Sequence, residues 1–237
     1  MAQSISSWRR KVHAECKDMS LRELSSVYFF RDPIRPIKNN HGFFYSPADG
    51  IILDCKIISS IDQPILTKYK NATLDELSYS QIDDGEYWVV TIFLTFYDPH
   101  IIRCPMNGII NRLDLPAYSV DDKTMLEIEK SILSKEFTEV KQELIGNIAF
   151  NQRVLFTVKP AQKTDKFYLL LTADYDIDTI VSFFSIKHSE EKQNTRIAAI
   201  RYGSMVTCVI PKKWGLVPVQ EVNTHVEAGI DPLFKFL

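Results

Sequence analysis

Nine runs rich in β-branched and aromatic residues constrain this chain most. They cover Gly50 to Ser59, Tyr87 to Phe96, Asn107 to Leu113, Arg153 to Val158 and Phe167 to Thr172. They continue over Thr179 to Ile186, Arg196 to Arg201, Met205 to Ile210 and Gly215 to Val222. Such runs read as strands, because stiff branched and aromatic side chains fit a pleated surface. Prolines at 33, 36, 99, 105, 160 and 211 punctuate them. Strands in this number with few helices predict a β-rich α+β single domain, with antiparallel sheets forming a sandwich-like core.

The helical exceptions are few. In residues 1–30, Trp8, Val12 and Cys16 recur at spacing four, beside Arg9, Arg10 and Lys11. That spacing puts them on one helix face. Ser20 to Phe30 carries Leu21, Leu24, Val27 and Tyr28, and Ser20-x-x-Glu23 has the spacing of a capping box. This amphipathic segment either packs on the β core or rests on lipid headgroups, with Trp8, Phe29 and Phe30 dipping inward. A further helix is expected over Asp122 to Phe137, with Met125, Ile128, Ile132 and Leu133 on one face.

Charge narrows the partners. Lys plus Arg total 28 against 30 Asp plus Glu, a net charge of −2, which argues against nucleic acid. The four cysteines, at 16, 55, 104 and 208, form no C-x-x-C pair, so thiols in a reducing cytosolic setting are expected. Apolar stretches such as Trp88 to Tyr97 are about half the ~20 residues a membrane-spanning helix needs. No signal-peptide pattern opens the sequence, so any membrane contact is expected at the surface, from the cytoplasmic side.

Gly203-Ser204 in IAAIRYGSMVTCVIP is a weak motif alone. Its chemistry is specific. The Ser204 hydroxyl can attack the Gly203 carbonyl, converting the amide to an ester. Elimination then leaves a dehydroalanine that hydrolyses to a pyruvoyl group. A serine hydroxyl needs a base for this, ideally one oriented by a carboxylate. His100, between Pro99 and Pro105, is the candidate base, and Asp49 in SPADG the candidate carboxylate. Arg103, Asn151 and Arg153 are candidate substrate-binding residues, suited to a carboxylate or phosphate.

Together these segments resemble the phosphatidylserine decarboxylase family, especially its short prokaryotic branch. FFRDPIRPI (Phe29 to Ile37), SPADG, VTIFLTFYDPHIIRCPMNGII, FNQRV and IRYGSMV carry the resemblance, which runs from about Phe29 to Gly229. Longer members have two histidines spaced three apart. Here the second falls on Arg103, as in the short branch. Gln152 stands where an Asn-Glu-Arg motif has Glu.

The resemblance implies a pyruvoyl-dependent domain over 31–237, cut into 1–203 and 204–237, with no metal or added cofactor. It implies that Asp49 orients or charges His100 as the base for Ser204. It implies a phospholipid substrate at a membrane surface, with phosphatidylserine converted to phosphatidylethanolamine and carbon dioxide. The oligomeric state stays open, a homodimer among the options. Two rival readings are a decarboxylase of a soluble amino-acid derivative and an uncut lipid- or protein-binding relative.

Overall fold

The computed structural model describes residues 2–37, 40–68, 71–116, 151–173, 179–184, 188–201 and 204–237. Gly203 and the helix expected over Asp122 to Phe137 lie outside the described residues. The first strands are β1 (Gln3–Ser4), β2 (Phe43–Tyr45), β3 (Gly50–Ile58), β4 (Ile65–Leu66), β5 (Asn71–Ala72) and β6 (Tyr87–Leu94). Next come β7 (Ile101–Arg103), β8 (Gly108–Asp114), β9 (Arg153–Lys159), β10 (Phe167–Ala173), β11 (Ile180–Ser182) and β12 (His188–Glu191). The C-terminal part adds β13 (Arg196–Ile200), β14 (Ser204–Pro211), β15 (Leu216–Pro218), β16 (Thr224–Val226) and β17 (Pro232–Phe236).

Nine strands form one antiparallel sheet in the order β1-β16-β3-β6-β14-β10-β9-β8-β12. Two three-stranded sheets, β11-β13-β7 and β15-β17-β2, stand apart from it. The β-rich α+β expectation therefore holds. The strand expected over Gly215 to Val222 is realised only as Leu216–Pro218. It is the edge of its sheet, where a proline without an N–H is tolerated.

Alternation along the strands divides the core in two. Val90, Ile92 and Leu94 of β6 share one face with Val206, Cys208 and Ile210 of β14 and with Leu169, Leu171 and Ala173 of β10. Ile102, Ala198 and Ile200 of the small β11-β13-β7 sheet join that cluster. Val89, Phe93, Met205, Val209 and Leu170 form the opposite face, packed under Leu74 and Leu77 of a short helix. β3 approaches β6 closely at Gly50, where a Cβ would lie 2.3 Å from the Phe93 carbonyl oxygen. Only glycine fits there, which accounts for the last residue of SPADG.

At the N-terminus, α1 (Ile5–Cys16) buries Trp8, Val12 and Cys16 as their spacing predicts. Ser20 and Glu23 form the expected reciprocal capping box at the start of α2 (Leu21–Glu23), and the chain continues as one π-helical turn over Leu24–Tyr28. Trp8 and Phe29 are each only 3% exposed, so they pack against the protein rather than projecting toward lipid. Phe30 is about half exposed. The helix under the second core, α3 (Leu74–Ser78), is capped in the same way by Thr73 and Glu76.

Candidate active site

Ser204 opens β14, the middle strand of the large sheet. Its cross-strand partners are Leu94 of β6 and Ala173 of β10. Both belong to the core face turned toward the small β11-β13-β7 sheet, so the Ser204 side chain shares that face. The residue is fully buried, and Oγ has no hydrogen-bond partner among the described residues. Ser78, Thr91, Thr172, Ser182 and Thr207 have buried hydroxyls in the same state, so what distinguishes Ser204 is its place at the head of β14, directly after Gly203 in the sequence.

Topology brings His100 to the same corner. β6 pairs with β14, and β7 pairs with β13. The chain therefore passes from the large sheet to the small one between Leu94 and Ile101, and Ile200, the last residue of β13, pairs with the end of that connection. His100 ends the connection, and Ile200 N–H donates to its carbonyl at 3.0 Å. Its ring stacks on Phe29, with centroids 4.0 Å apart. Nδ1 lies 2.8 Å from the Asp98 carbonyl, which can only accept, so Nδ1 holds the proton. Nε2 is buried without a partner among the described residues. Burial, then the charges of Lys68 and Arg31, push the pKa down to about 4 against a weaker pull from Asp98. At neutral pH the imidazole is neutral, with its lone pair on Nε2.

Asp49 is placed differently from the expectation. Its Oδ1 accepts from Arg35 Nη2 at 2.6 Å, and its Oδ2 from Ala228 N–H at 3.2 Å. It has no bond to His100; the Asp98 main chain orients that ring instead. Arg35 also reaches Glu227 at 3.1 Å, so one guanidinium joins two carboxylates. The turn under Asp49 is laced from several sides. Ser46 N–H donates to Asp231 O at 2.8 Å, and Arg103 N–H to Pro47 O at 2.8 Å. Burial raises the Asp49 pKa to about 6; Arg35 and His225 pull it down, and Asp98 pushes it up.

Two arginines expected to bind substrate are committed elsewhere. Arg103 donates to Asp32 at 2.8 Å, to the Pro33 carbonyl at 3.0 Å and to the Asn194 carbonyl at 3.2 Å. It fastens the FFRDPIRPI segment to the small sheet. Arg153 is fully buried and donates to the carbonyls of Glu76, Leu77 and Pro116. It caps the end of α3, whose last carbonyls lack helical partners. Asn151 is buried just ahead of β9. Gln152 spends its side-chain oxygen on the N–H groups of Thr179 and Ile180, at 2.8 and 2.9 Å.

Three residues complete the cluster beyond those singled out in the sequence. Asp98 and His225 meet at 2.7 Å, Oδ1 to Nε2, both buried. Burial works to raise the Asp98 pKa, but His225 and the two Thr95 donors outweigh it and hold the carboxyl below its ordinary value. Arg35 is the third. Arg35 and Asp98 stood inside quoted motifs and were within reach of the sequence. His225 in VNTHVEAG has no local pattern to mark it. A cavity of about 380 Å³ lies between α1, residues 28–35 and this cluster, with Trp8, Arg31, Arg35, Asp49, Asp98 and His225 among its walls.

A buried serine at the head of a central strand, with a neutral buried histidine on the connection that follows its strand partner Leu94, supplies the parts for nucleophilic chemistry. Comparison with known proteins agrees with the motifs. The sequence model of the family described as phosphatidylserine decarboxylase matches residues 24–231, so the chain belongs to that family. A phosphatidylserine decarboxylase proenzyme of Ehrlichia chaffeensis is 35% identical over 86% of this chain and 68% of its own length. One from Wolbachia sp. subsp. Brugia malayi is 25% identical over 79% of this chain and 66% of its own. One from Wolbachia pipientis wMel is 28% identical over 53% of this chain and 50% of its own. The chain thus spans between half and about two thirds of the two Wolbachia relatives.

Proposed function

We propose that this chain cuts itself between Gly203 and Ser204 and then removes the α-carboxylate of phosphatidylserine, giving phosphatidylethanolamine and carbon dioxide. The observation that carries the reading is Ser204 Oγ, buried with no partner among the described residues, while His100 Nε2, likewise without one, lies on the connection that follows Ser204's strand partner Leu94. His100 Nε2 takes the Ser204 hydroxyl proton while Oγ bonds to the Gly203 carbonyl carbon. The Gly203–Ser204 C–N bond then breaks as His100 gives that proton to the departing Ser204 nitrogen, leaving an ester and a free Ser204 amine. Loss of the Ser204 α-proton and cleavage of Cβ–Oγ release the Gly203 carboxylate. Hydrolysis of the resulting dehydroalanine releases ammonia and leaves a pyruvoyl group at position 204.

The residues present fit that group. A small strand-end side chain with no hydrogen-bond partner among the described residues can be converted without stranding one of them. Once formed, the pyruvoyl supplies the electron sink for decarboxylation. Asp49 and Arg35 keep the turn beside the site rigid, and the apolar face holding Leu94 and Ala173 keeps water from the reacting atoms. His100 is placed to return a proton to the substrate Cα. The two fragments stay joined, because residues 204–237 contribute β14 and β16 to the large sheet and β15 and β17 to a small one.

We place the protein at the cytoplasmic membrane surface. No helix among the described residues is long and apolar enough to cross a bilayer. Between residues 19 and 37, however, Leu21, Val27, Phe30, Ile34 and Ile37 are exposed, Ile34 at 94%. Exposed Arg9, Arg10, Lys17 and Arg22 lie in the same part of the chain. Apolar side chains with adjacent cations suit an anionic lipid surface.

The test is carbon dioxide release from phosphatidylserine vesicles by the wild-type chain and by Ser204→Ala. Release by the wild type alone is expected. Equal release by Ser204→Ala would refute the mechanism, and release from soluble phosphoserine but not from vesicles would refute the lipid substrate.

A further inference from the structure

We infer that His225 is a positioning residue for His100 and acts through Asp98. The inference rests on the reading of Ser204 and His100 as nucleophile and base. His225 lies on β16, in the segment that follows the cut. Its Nε2 meets Asp98 Oδ1 at 2.7 Å. The other oxygen, Oδ2, accepts from Thr95 N–H at 2.9 Å and from the Thr95 hydroxyl at 2.8 Å. Three donors from two segments therefore hold one buried carboxylate.

That hold fixes more than the side chain. The Asp98 carbonyl, on the same residue, is the acceptor for His100 Nδ1 at 2.8 Å. If Asp98 shifts, the carbonyl shifts with it. A carbonyl facing Nδ1 admits only the tautomer with the proton on Nδ1, since the other would set two acceptors against each other. Only that tautomer leaves Nε2 free to take a proton from a serine.

The His225 ring is itself clamped. Trp8 of α1 stacks on it with centroids 4.9 Å apart and planes 16° from parallel. Its Nδ1 is buried with no partner among the described residues, so the ring is set for its Nε2 contact alone. The segment that carries the nucleophile thus also carries the residue that selects the base's tautomer. Hydrogen-bond partners that fix the tautomer of metal-bound histidines are worth about 10- to 100-fold, and the same kind of hold operates here on a histidine base.

The test uses the full-length chain. Nitrogen-15 NMR of histidine in the uncut Ser204→Ala protein reads the His100 tautomer directly, and the same position-225 variants with Ser204 intact give the self-cleavage rate. With His225→Phe, the Nδ1-protonated form of His100 is expected to lose its dominance and cleavage to slow by about tenfold or more. His225→Gln, whose amide nitrogen can replace Nε2 as donor, is expected to keep the tautomer and restore most of the rate.

An unchanged His100 tautomer in His225→Phe would overturn the inference. So would a glutamine variant as impaired as the phenylalanine one, which would assign the effect to ring packing. Should the phenylalanine variant not fold, His225→Asn, whose amide falls short of Asp98, takes its place. If the wild-type chain does not cut itself, the reading of Ser204 fails, yet the tautomer in the uncut protein still decides the role of His225.

Discussion

Arg35 and Asp49 form a buried ion pair, Nη2 to Oδ1 at 2.6 Å, with side chains 9% and 5% exposed. The pair ties the FFRDPIRPI segment to the SPADG turn. Removing one partner of a buried pair leaves an uncompensated charge, which costs about 3–5 kcal/mol. Arg35→Ala in the uncut Ser204→Ala protein is therefore expected to lose that much stability in urea unfolding. Adding Asp49→Asn should return a large part of it. A loss below 1 kcal/mol, or no recovery in the combined variant, would show that the pair does not organise the turn.

The pH dependence of stability follows from two opposed groups. His100 has a pKa of about 4 in the fold against an ordinary 6.5, so between those values the unfolded chain binds more protons. Its contribution is lost as pH falls from 6.5 to 4, by roughly 3 kcal/mol. Asp49 is raised to about 6 from 3.8, so there the folded chain binds more protons. Its contribution grows over nearly the same fall, by roughly 3 kcal/mol. The two nearly cancel above pH 4. His100→Asn in the uncut protein should unmask Asp49 and become more stable from pH 6.5 to 4, while the parent stays flat. A parallel pair of profiles would contradict the assignment.

Arg153 separates a structural from a substrate role. Its guanidinium satisfies three backbone carbonyls near α3. Arg153→Met is expected to cost about 3 kcal/mol or more, because hydrogen bonds to charged groups contribute about 1.5–3 kcal/mol each. The folded fraction should keep the wild-type KM. A stable variant with a KM raised tenfold would return Arg153 to the substrate.

Exposed side chains on residues 19–37 carry the membrane proposal. Val27→Asp with Ile34→Asp is expected to cut cosedimentation with anionic vesicles about tenfold, since each removes apolar contact and adds a charge facing lipid. Thermal stability and fragment masses should not change, because both positions are exposed, Val27 at 68% and Ile34 at 94%. Undiminished vesicle binding would move the docking surface elsewhere.

Local pattern made much of this structure legible. The spacing of Trp8, Val12 and Cys16 marked a helix face, and the β-branched run from Met205 to Ile210 marked a strand. Short strands such as Thr224–Val226 and Pro232–Phe236 carry too few residues for a period and exist because partners recruit them. The site divides the same way. Ser204, His100 and Asp49 stand in motifs, but their bonds depend on which segments meet. Arg35, from a separate loop, takes the carboxylate that the sequence would assign to His100. His225 is brought in from 125 positions further along the chain than His100, a contact no local spacing encodes.

On this mechanism the chain makes its own catalytic group from Ser204. Denaturing intact-mass spectrometry of the freshly purified protein decides whether it does. The expected result is two fragments, residues 1–203 and 204–237, the smaller without a free amino terminus and with the mass of a pyruvoyl-blocked chain. A single uncut species of 27.3 kDa, persisting after long incubation, would contradict it.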